Sequence, residues 1–208
     1  SKASEVGDEP LQYAQKFQDV SIAVQEDRVR GIKKLAKEGA ELIVLDDAFQ
    51  HRWVNPGLNI LLTNYSNLYV DDFLLPVGKL REGKTSALRA DVIVVTKTPK
   101  ALLPVDKKRL IEQISPWPHQ KLYFSYYDYS HPVHVFTKEE VPLEEQQILL
   151  LTGIADAQSI KDYLIGKVEV VEHLEYKDHY TYSMKDVEKI IEAWKEAVSY
   201  THLRAHET

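Results

Sequence analysis

The sequence predicts an α/β fold in which a mostly parallel sheet is flanked by helices. Several short apolar runs are continuous rather than alternating, which is typical of strands buried on both faces of a parallel sheet. The clearest of these runs is Leu42 to Leu45. Amphipathic stretches of helical length separate the runs, as βαβ units require. With 208 residues, 44% of them hydrophobic, the chain is long enough to bury a substantial core.

The first βαβ unit is predicted between Val20 and Leu45. Val20 to Val24 alternates apolar and polar residues, as a short strand does. Asp27 can cap the helix that follows, and Gly39 supplies a left-handed stop. Leu42 to Leu45 then forms the second strand, so the crossover between them should be right-handed.

The middle of the chain continues this pattern. Strands are predicted at Leu58 to Thr63 and at Ala90 to Thr96, followed by an amphipathic helix from Val105 to Ile114. The stretch KLYFSYYDYSHPVHVF, residues 121–136, alternates aromatic and polar side chains and is the most strand-like part of the sequence.

The C-terminal part repeats the pattern on a smaller scale, with a strand at Ile148 to Leu151, a helix at Ala157 to Leu164, a strand at Val168 to Leu174 and a helix capped by Ser183.

We therefore divide the chain into three parts. These are a core α/β domain at 1–118, a smaller C-terminal α/β subdomain with a linking β segment at 119–198, and a tail at 199–208. Because the tail abandons the helical period, we interpret it as non-native.

Composition narrows the possible functions. The net charge of −6 and pI of about 5.8 do not provide the broad basic surface that nucleic acid requires, so no nucleic-acid partner is predicted. The chain has no cysteine, which removes disulfides, thiolate metal sites and a cysteine nucleophile together. No apolar run in the sequence reaches transmembrane length.

Paired carboxylates directly follow the predicted strand at Leu42 to Leu45. In open α/β sheets ligands bind outside the carboxyl ends of the strands, which is where Asp46 and Asp47 fall. With Gln50 and His51 close behind, these residues are suited to hold a hard cation and orient phosphate oxygens. The alternative is that the aspartates only begin a turn or cap a helix.

A long connection between the strands at 58–63 and 90–96 is the most basic segment of the chain. Lys79, Arg81, Lys84 and Arg89 lie in it, with Glu82 as the single acid among them. The segment is either an anion-binding site with one carboxylate available to a metal, or a positively charged loop exposed to solvent. Asp8 and His179 are two further candidate site residues. Each also has a purely structural interpretation, since Asp8 can cap a helix and His179 can be a structural histidine.

Several motifs together resemble one family, the tetraacyldisaccharide 4′-kinases of lipid A synthesis. They occur in the family's order, and the DD-x-F-Q-H element followed by LLP-x-G-x-LRE is specific. Ala48 and Ala157 stand where the family commonly has Gly and Pro. The matching segments are VGDEP at Val6 to Pro10, EDR at Glu26 to Arg28, LDDAFQH at Leu45 to His51, LLPVGKLRE at Leu74 to Glu82, RADVIVVTK at Arg89 to Lys97, TGIAD at Thr152 to Asp156 and KDHYTY at Lys177 to Tyr182.

The resemblance implies a fold like that of P-loop NTPases, truncated in this chain. It places the P-loop and a membrane-anchoring helix upstream of residue 1, and a further segment beyond the tail, so no P-loop is predicted in this chain and the fragment itself is expected to be inactive. The implied cofactors are ATP and Mg²⁺. The implied partners are the lipid A disaccharide precursor and the membrane surface, at the cytoplasmic face of the bacterial inner membrane; no protein partner is inferred.

The resemblance also assigns roles to individual residues. Asp8 takes the proton from the sugar 4′-hydroxyl, and His179 tunes and orients that carboxylate. Asp46, Asp47 and Glu82 serve the magnesium ion. The remaining residues assigned to substrate or nucleotide binding are Glu9, Gln50, His51 and Arg81.

Two other functions stay open at this point. The first is a metal-dependent phosphohydrolase that uses Asp46, Asp47 and His51 without ATP, which the chain fits without a P-loop. The second is a non-catalytic interaction domain in which the carboxylates and histidines are structural.

Overall fold

The structure, a computed structural model, describes residues 7–144, 146–154, 156–178 and 180–204, without the side chains of Asp8 and residues 197–204. The chain divides into two compact units, unit 1 ending at Tyr126 and unit 2 beginning at Tyr127. Each unit contains its own parallel sheet with flanking helices. The predicted α/β class with parallel strands is therefore confirmed.

Unit 1 is built on a three-stranded parallel sheet in the order β1-β2-β3. Its strands are β1 (Ile60–Asn64), β2 (Val92–Thr96) and β3 (Lys121–Phe124). The central strand β2 carries the fully buried Ile93 and Val95. The apolar runs that predicted the first two strands thus form adjacent, paired elements, with the core on the middle strand.

The helices of unit 1 are α1 (Asp8–Lys16), α2 (Arg28–Lys37) and α3 (Pro104–Ile114), and a 3-10 helix spans Lys84–Arg89. Asp27 caps α2 by accepting the Arg30 N–H at 3.1 Å, and Gly39 follows that helix with φ of 96°. Both signals predicted from the sequence are confirmed. In α3, Leu110 and Ile114 pack into the core around β2.

The two strands predicted on either side of α2 are wrong. Residues 20–24 and Leu42 to Leu45 are assigned no strand and pair with none of the strands in the described residues. Leu42 and Val44 are 83% and 84% exposed, so the run is not buried on both faces. An apolar β-rich sequence favours extended backbone, but a strand also needs a neighbour that pairs with its N–H and C=O groups.

Unit 2 contains a parallel pair, β4 (Gln146–Thr152) and β5 (Val168–Glu175), joined through α4 (Gln158–Leu164). Leu143, Leu150 and Leu164 form its core. The last helix, α5 (Met184–Arg204), follows Ser183, whose Oγ accepts the Asp186 N–H at 3.4 Å. The predicted βαβ pattern and the Ser183 cap are confirmed.

Two further expectations are corrected here. Only Lys121–Phe124 of the aromatic stretch 121–136 forms a ladder strand, because Pro132 and the turn after it leave a single antiparallel bridge between Val133 and Glu140. The α5 backbone also stays helical through 199–204, where we predicted a break; residues 205–208 lie outside the described residues.

Within the described ranges, no helix combines the length and apolarity needed to cross a membrane.

Candidate active site

Asp47 and Arg81 form a two-point ion pair between segments far apart in the sequence. Arg81 Nη2 donates to Asp47 Oδ1 at 2.6 Å, and Nη1 donates to Oδ2 at 3.1 Å. Asp47 holds this position with a left-handed backbone, φ 44°, which aspartate tolerates better than most residues. The fork of Arg81 therefore connects the DDAFQH segment to the LLPVGKLRE segment.

Charges around this pair lower the pKa of Asp47. The hydrogen bonds from Arg81 are the largest cause, partial burial opposes them, and the charge of Arg81 and electrostatic contributions from His51 and Arg28 act in the same direction as the hydrogen bonds. The same contacts raise the pKa of Arg81. Asp47 therefore stays ionised to lower pH than an ordinary aspartate. This suits a residue whose role requires a fixed negative charge.

Asp46, the other member of the carboxylate pair, faces α1. The Tyr13 hydroxyl donates to Asp46 Oδ2 at 3.4 Å, and the negative charge of Asp46 is the main cause that raises the Tyr13 pKa. Glu9 raises the same pKa through its charge. Tyr13 follows Asp8 by five residues in α1, which is about 7.5 Å along the axis at about 1.5 Å per residue. The helix that contains Asp8 is thus held beside the carboxylate pair.

Glu82 is held by Arg89 rather than by the other acids. Arg89 Nη2 lies 2.9 Å from Glu82 Oε2 and donates to the Phe49 carbonyl at 3.1 Å. The guanidinium also stacks over the Phe49 ring, 4.7 Å from its centroid. The basic connection is therefore fastened to the DDAFQH segment at two points, by Arg81 at Asp47 and by Arg89 at Phe49.

Gln50 and His51 complete this segment. Gln50 Oε1 is buried and has no hydrogen-bond partner, so it is an acceptor placed for a donor or a cation that the protein alone does not supply. His51 lines a cavity of about 440 Å³ together with Arg28 and Trp53. Two residues of this lining, His51 and Arg28, also act electrostatically on Asp47.

The proposed magnesium ligands do not form one cluster. Among the described residues, no group of three or more His, Asp and Glu side chains is close enough to hold a metal ion. Mg²⁺ itself keeps several waters and takes one or two carboxylates from the protein. The exposed Asp46 carboxylate and the unpartnered Gln50 Oε1 are oxygen donors of the kind it prefers, so these residues fit such an ion. Glu82 as a metal ligand remains a prediction.

In unit 2 the TGIAD and KDHYTY segments lie against each other. The Tyr176 N–H donates to the Thr152 carbonyl at 2.8 Å, and a Cβ on Gly153 would lie 3.0 Å from the Tyr182 hydroxyl. Tyr180 donates to both Asp186 oxygens at 3.2 Å. The rings of the three tyrosines lie 4.9 to 5.4 Å apart. Close packing therefore holds the described residues on either side of position 179 against the TGIAD segment.

The proposed Asp8–His179 pair joins two positions outside these contacts. The Asp8 side chain and all of His179 lie outside the described residues. The two residues also belong to different units. The proton-accepting pair therefore stays a prediction.

The spacing of a P-loop does occur once in the chain, contrary to the prediction. Residues Gly78 to Thr85 read GKLREGKT, which fits G-x-x-x-x-G-K-[ST]. A working P-loop connects a strand to a helix and wraps its backbone N–H groups around phosphates. Here a hydrogen-bonded loop rather than a strand leads into the string, a 3-10 helix begins within it at Lys84, and the Lys84 ammonium donates to the Val70 carbonyl. The string therefore lacks the structural context of a phosphate-binding P-loop.

Sequence reasoning missed two contributors to this site. The sequence does not indicate Tyr13, because a tyrosine on a short amphipathic helix carries no signal that it will meet Asp46. Arg89 was noted only as one charge of the basic connection. Its RAD motif placed it just before a strand, which could have indicated a fixed position, but not the contact with Phe49.

The fold and this site together define an α/β protein in which paired carboxylates and a guanidinium fork meet, an arrangement suited to an anionic phosphate ligand. The family described as tetraacyldisaccharide-1-P 4′-kinase matches residues 1–202 of the chain. The chain belongs to this family.

Individual relatives agree with that assignment. Proteins called tetraacyldisaccharide 4′-kinase are similar to this chain in Bacteroides fragilis (41% identity, covering 92% of this chain and 54% of the relative), Phocaeicola vulgatus (42%, covering 89% and 53%) and Flavobacterium johnsoniae (41%, covering 91% and 56%). The chain thus spans about half the length of the curated relatives it matches. No solved structure matches it significantly.

Proposed function

We propose that the chain is part of an enzyme that transfers the γ-phosphoryl group of ATP to the 4′-hydroxyl of a tetraacyldisaccharide 1-phosphate. The observation that carries this proposal is the Asp47–Arg81 ion pair, which joins two of the segments that resemble the family. Phosphoryl transfer needs positioning and countercharge more than covalent chemistry, and this pair supplies both at one point.

Arg81 is proposed to neutralise charge on the transferred phosphoryl group. A guanidinium has more N–H donors than the two that bind Asp47 here, so it can hold the carboxylate and a phosphate oxygen together. Asp47 then acts as the anchor that fixes the direction of the fork. His51, on the wall of the neighbouring cavity, is placed to contact a phosphate or the acceptor sugar.

Asp8 is proposed to accept the proton of the 4′-hydroxyl, with His179 orienting its carboxylate. What supports this role is the Tyr13–Asp46 contact, which holds the helix of Asp8 beside the carboxylate pair. Glu9, in the first turn of the same helix, would support the negative charge there.

A bound Mg²⁺ would neutralise phosphate charge and orient the β- and γ-oxygens. We assign Asp46 and Asp47 to it, directly or through water, with Gln50 Oε1 as a further donor and Glu82 as an outer acidic contributor. An enzyme with this acylated acceptor works at a bilayer surface, and we place it at the cytoplasmic face of the inner membrane.

The test is transfer of radioactive phosphate from [γ-³²P]ATP to the purified lipid acceptor, in a protein of the relatives' full length that carries these 208 residues. Label is expected on the acceptor, and Asp8→Ala and Asp47→Asn should each reduce it strongly. Phosphate release from simple esters without nucleotide would instead support the phosphohydrolase, and unchanged transfer in both variants would contradict the assigned roles.

A further inference from the structure

An exposed apolar loop lies directly before Arg81 in the basic connection. Phe73, Leu74, Leu75 and Val77 are 63%, 51%, 61% and 82% exposed, and Pro76 between them is exposed as well. Consecutive exposed apolar side chains are unfavourable in water and are retained mainly where they bind something. We call these residues, 73–77, the apolar loop.

The apolar loop is closed by backbone hydrogen bonds. The Leu80 N–H donates to the Phe73 carbonyl and the Leu75 N–H donates to the Leu80 carbonyl, both at 3.0 Å. The Val77 and Gly78 N–H groups both donate to the Leu74 carbonyl at 3.1 Å. The loop therefore presents its side chains from a fixed frame, so little conformational entropy is lost when they are buried.

Gly78 is what allows the frame to close so tightly. A Cβ at this position would lie 2.2 Å from the Phe73 carbonyl oxygen and 2.6 Å from the Phe73 backbone nitrogen. No side chain can occupy that space without moving the backbone of the loop.

The acidic and basic residues next to the apolar loop differ in their contacts. Asp72 is turned into the frame, where Oδ1 accepts the Phe73 N–H at 2.7 Å and the Lys79 N–H at 3.2 Å. Asp71 accepts from the Gln113 side chain at 2.7 Å. Lys79 follows the loop and is exposed, and the exposed Lys84 ammonium lies 5.4 Å from the centre of the Phe73 ring while it donates to the Val70 carbonyl. Two exposed lysines thus accompany the apolar loop, while Asp71 and Asp72 accept hydrogen bonds from the protein.

We propose that the apolar loop inserts into the interface of an anionic lipid bilayer, with Lys79 and Lys84 against the lipid phosphates. Apolar side chains beside lysines are the combination that binds such surfaces. The inference deepens the proposed function and rests on it for its purpose, because the acceptor proposed there is a lipid. Since the chain runs from this loop straight into Arg81, insertion would place the Asp47–Arg81 pair next to the bilayer surface.

The experiment measures co-sedimentation of the 208-residue chain with vesicles of phosphatidylcholine, with or without phosphatidylglycerol. The test variant is Leu75→Ser/Val77→Ser. The matched control is Leu42→Ser/Val44→Ser, which changes the same two residue types elsewhere in unit 1, at positions that are at least as exposed. We expect the loop variant to bind anionic vesicles at least about tenfold more weakly and the control to bind like the parent.

A second variant keeps the test independent of the apolar substitutions. Lys79→Gln should weaken binding to vesicles that contain phosphatidylglycerol and leave binding to phosphatidylcholine unchanged, because it removes a charge and no apolar surface. Circular dichroism and the urea midpoint of each variant check that the fold is retained.

Three outcomes would overturn the proposal. They are absence of vesicle binding by the parent, equal losses in the loop and control variants, and a dimer in light scattering that only the loop substitutions dissociate. The last would assign the surface to a second copy of the chain. No nucleotide is present in this experiment, so its failure is distinct from a failure of phosphate transfer.

Discussion

Asp47 and Arg81 are both largely exposed, which decides what their ion pair can contribute. Exposed pairs add about 0 to 1 kcal/mol to stability even with good geometry, because water screens the charges. The two-point contact instead restricts where the Arg81 guanidinium points. At the scale of single residues, we therefore expect its role to be orientation more than stability.

The first prediction concerns the pKa of Asp47. Arg81→Gln removes the hydrogen bonds that are the main cause of its depression, so the pKa should rise toward the ordinary value of 3.8. Carboxyl carbon NMR titration of Asp47 measures this. Arg52→Gln, a change of the same kind in the neighbouring HR motif, is the control and should leave the titration curve in place. An unchanged Asp47 pKa in Arg81→Gln would contradict the assignment.

The second prediction concerns Gly78. Gly78→Ala should destabilise the protein by about 1 to 3 kcal/mol, the usual cost of forcing a methyl group into occupied space. The free energy of unfolding in urea measures it. Gly57→Ala is the matched control, since nothing lies within 4 Å of a Cβ there, and it should change the free energy little. Equal values for the two variants would show that the loop opens freely.

At the scale of elements, β2 determines the stability of unit 1. It is paired on both sides, and the core collects around it. Ile93→Ala, at a side chain with 0% exposure, should lower the free energy of unfolding by about 2 to 5 kcal/mol. Ile60→Ala, in the adjacent strand β1 at 50% exposure, should cost distinctly less. Similar losses would mean that β2 is not the centre of the core.

The strands show how much of the secondary structure the sequence predicts. The runs at 58–63, 90–96, 148–151 and 168–174 all became strands, because each found a parallel neighbour. The run Leu42 to Leu45 has the same composition and remained unpaired. The residues of one segment show whether that segment prefers extended backbone. They do not show whether another segment lies beside it to form the hydrogen bonds of a sheet.

The candidate site was likewise predictable from the sequence only in part. The motifs indicated that Asp47 and Arg81 serve one function, but only the fold shows that they bind each other. The unpartnered Gln50 Oε1 and the Tyr13–Asp46 contact depend on side-chain packing. No spacing rule reports such contacts, because their members come from different elements.

At the scale of the whole molecule, stability should fall with acid. Hydrogen bonds lower the pKa of Asp47, Asp72 and Asp186, two in unit 1 and one in unit 2. A depressed folded-state pKa contributes stability that is present above the unfolded value and is lost as pH falls through the folded value. Unfolding free energies should therefore decrease below about pH 4. Urea titrations across that range that show constant or rising stability would contradict this.

The division into two units shapes how the function must be tested. Asp47 and Arg81 belong to unit 1, whereas His179 belongs to unit 2. The chain spans only about half the length of these relatives. Activity is therefore best measured in a protein of their full length, while the vesicle, NMR and unfolding experiments use the 208 residues themselves.

The most direct measurement is a double-mutant cycle of phosphate transfer from ATP to the lipid acceptor. It compares Asp47→Asn, Arg81→Gln and the combined variant in the full-length protein. If the two residues act as one unit, the combined variant should be no slower than the slower single variant. Losses that multiply would show that Asp47 and Arg81 act independently and would contradict the account.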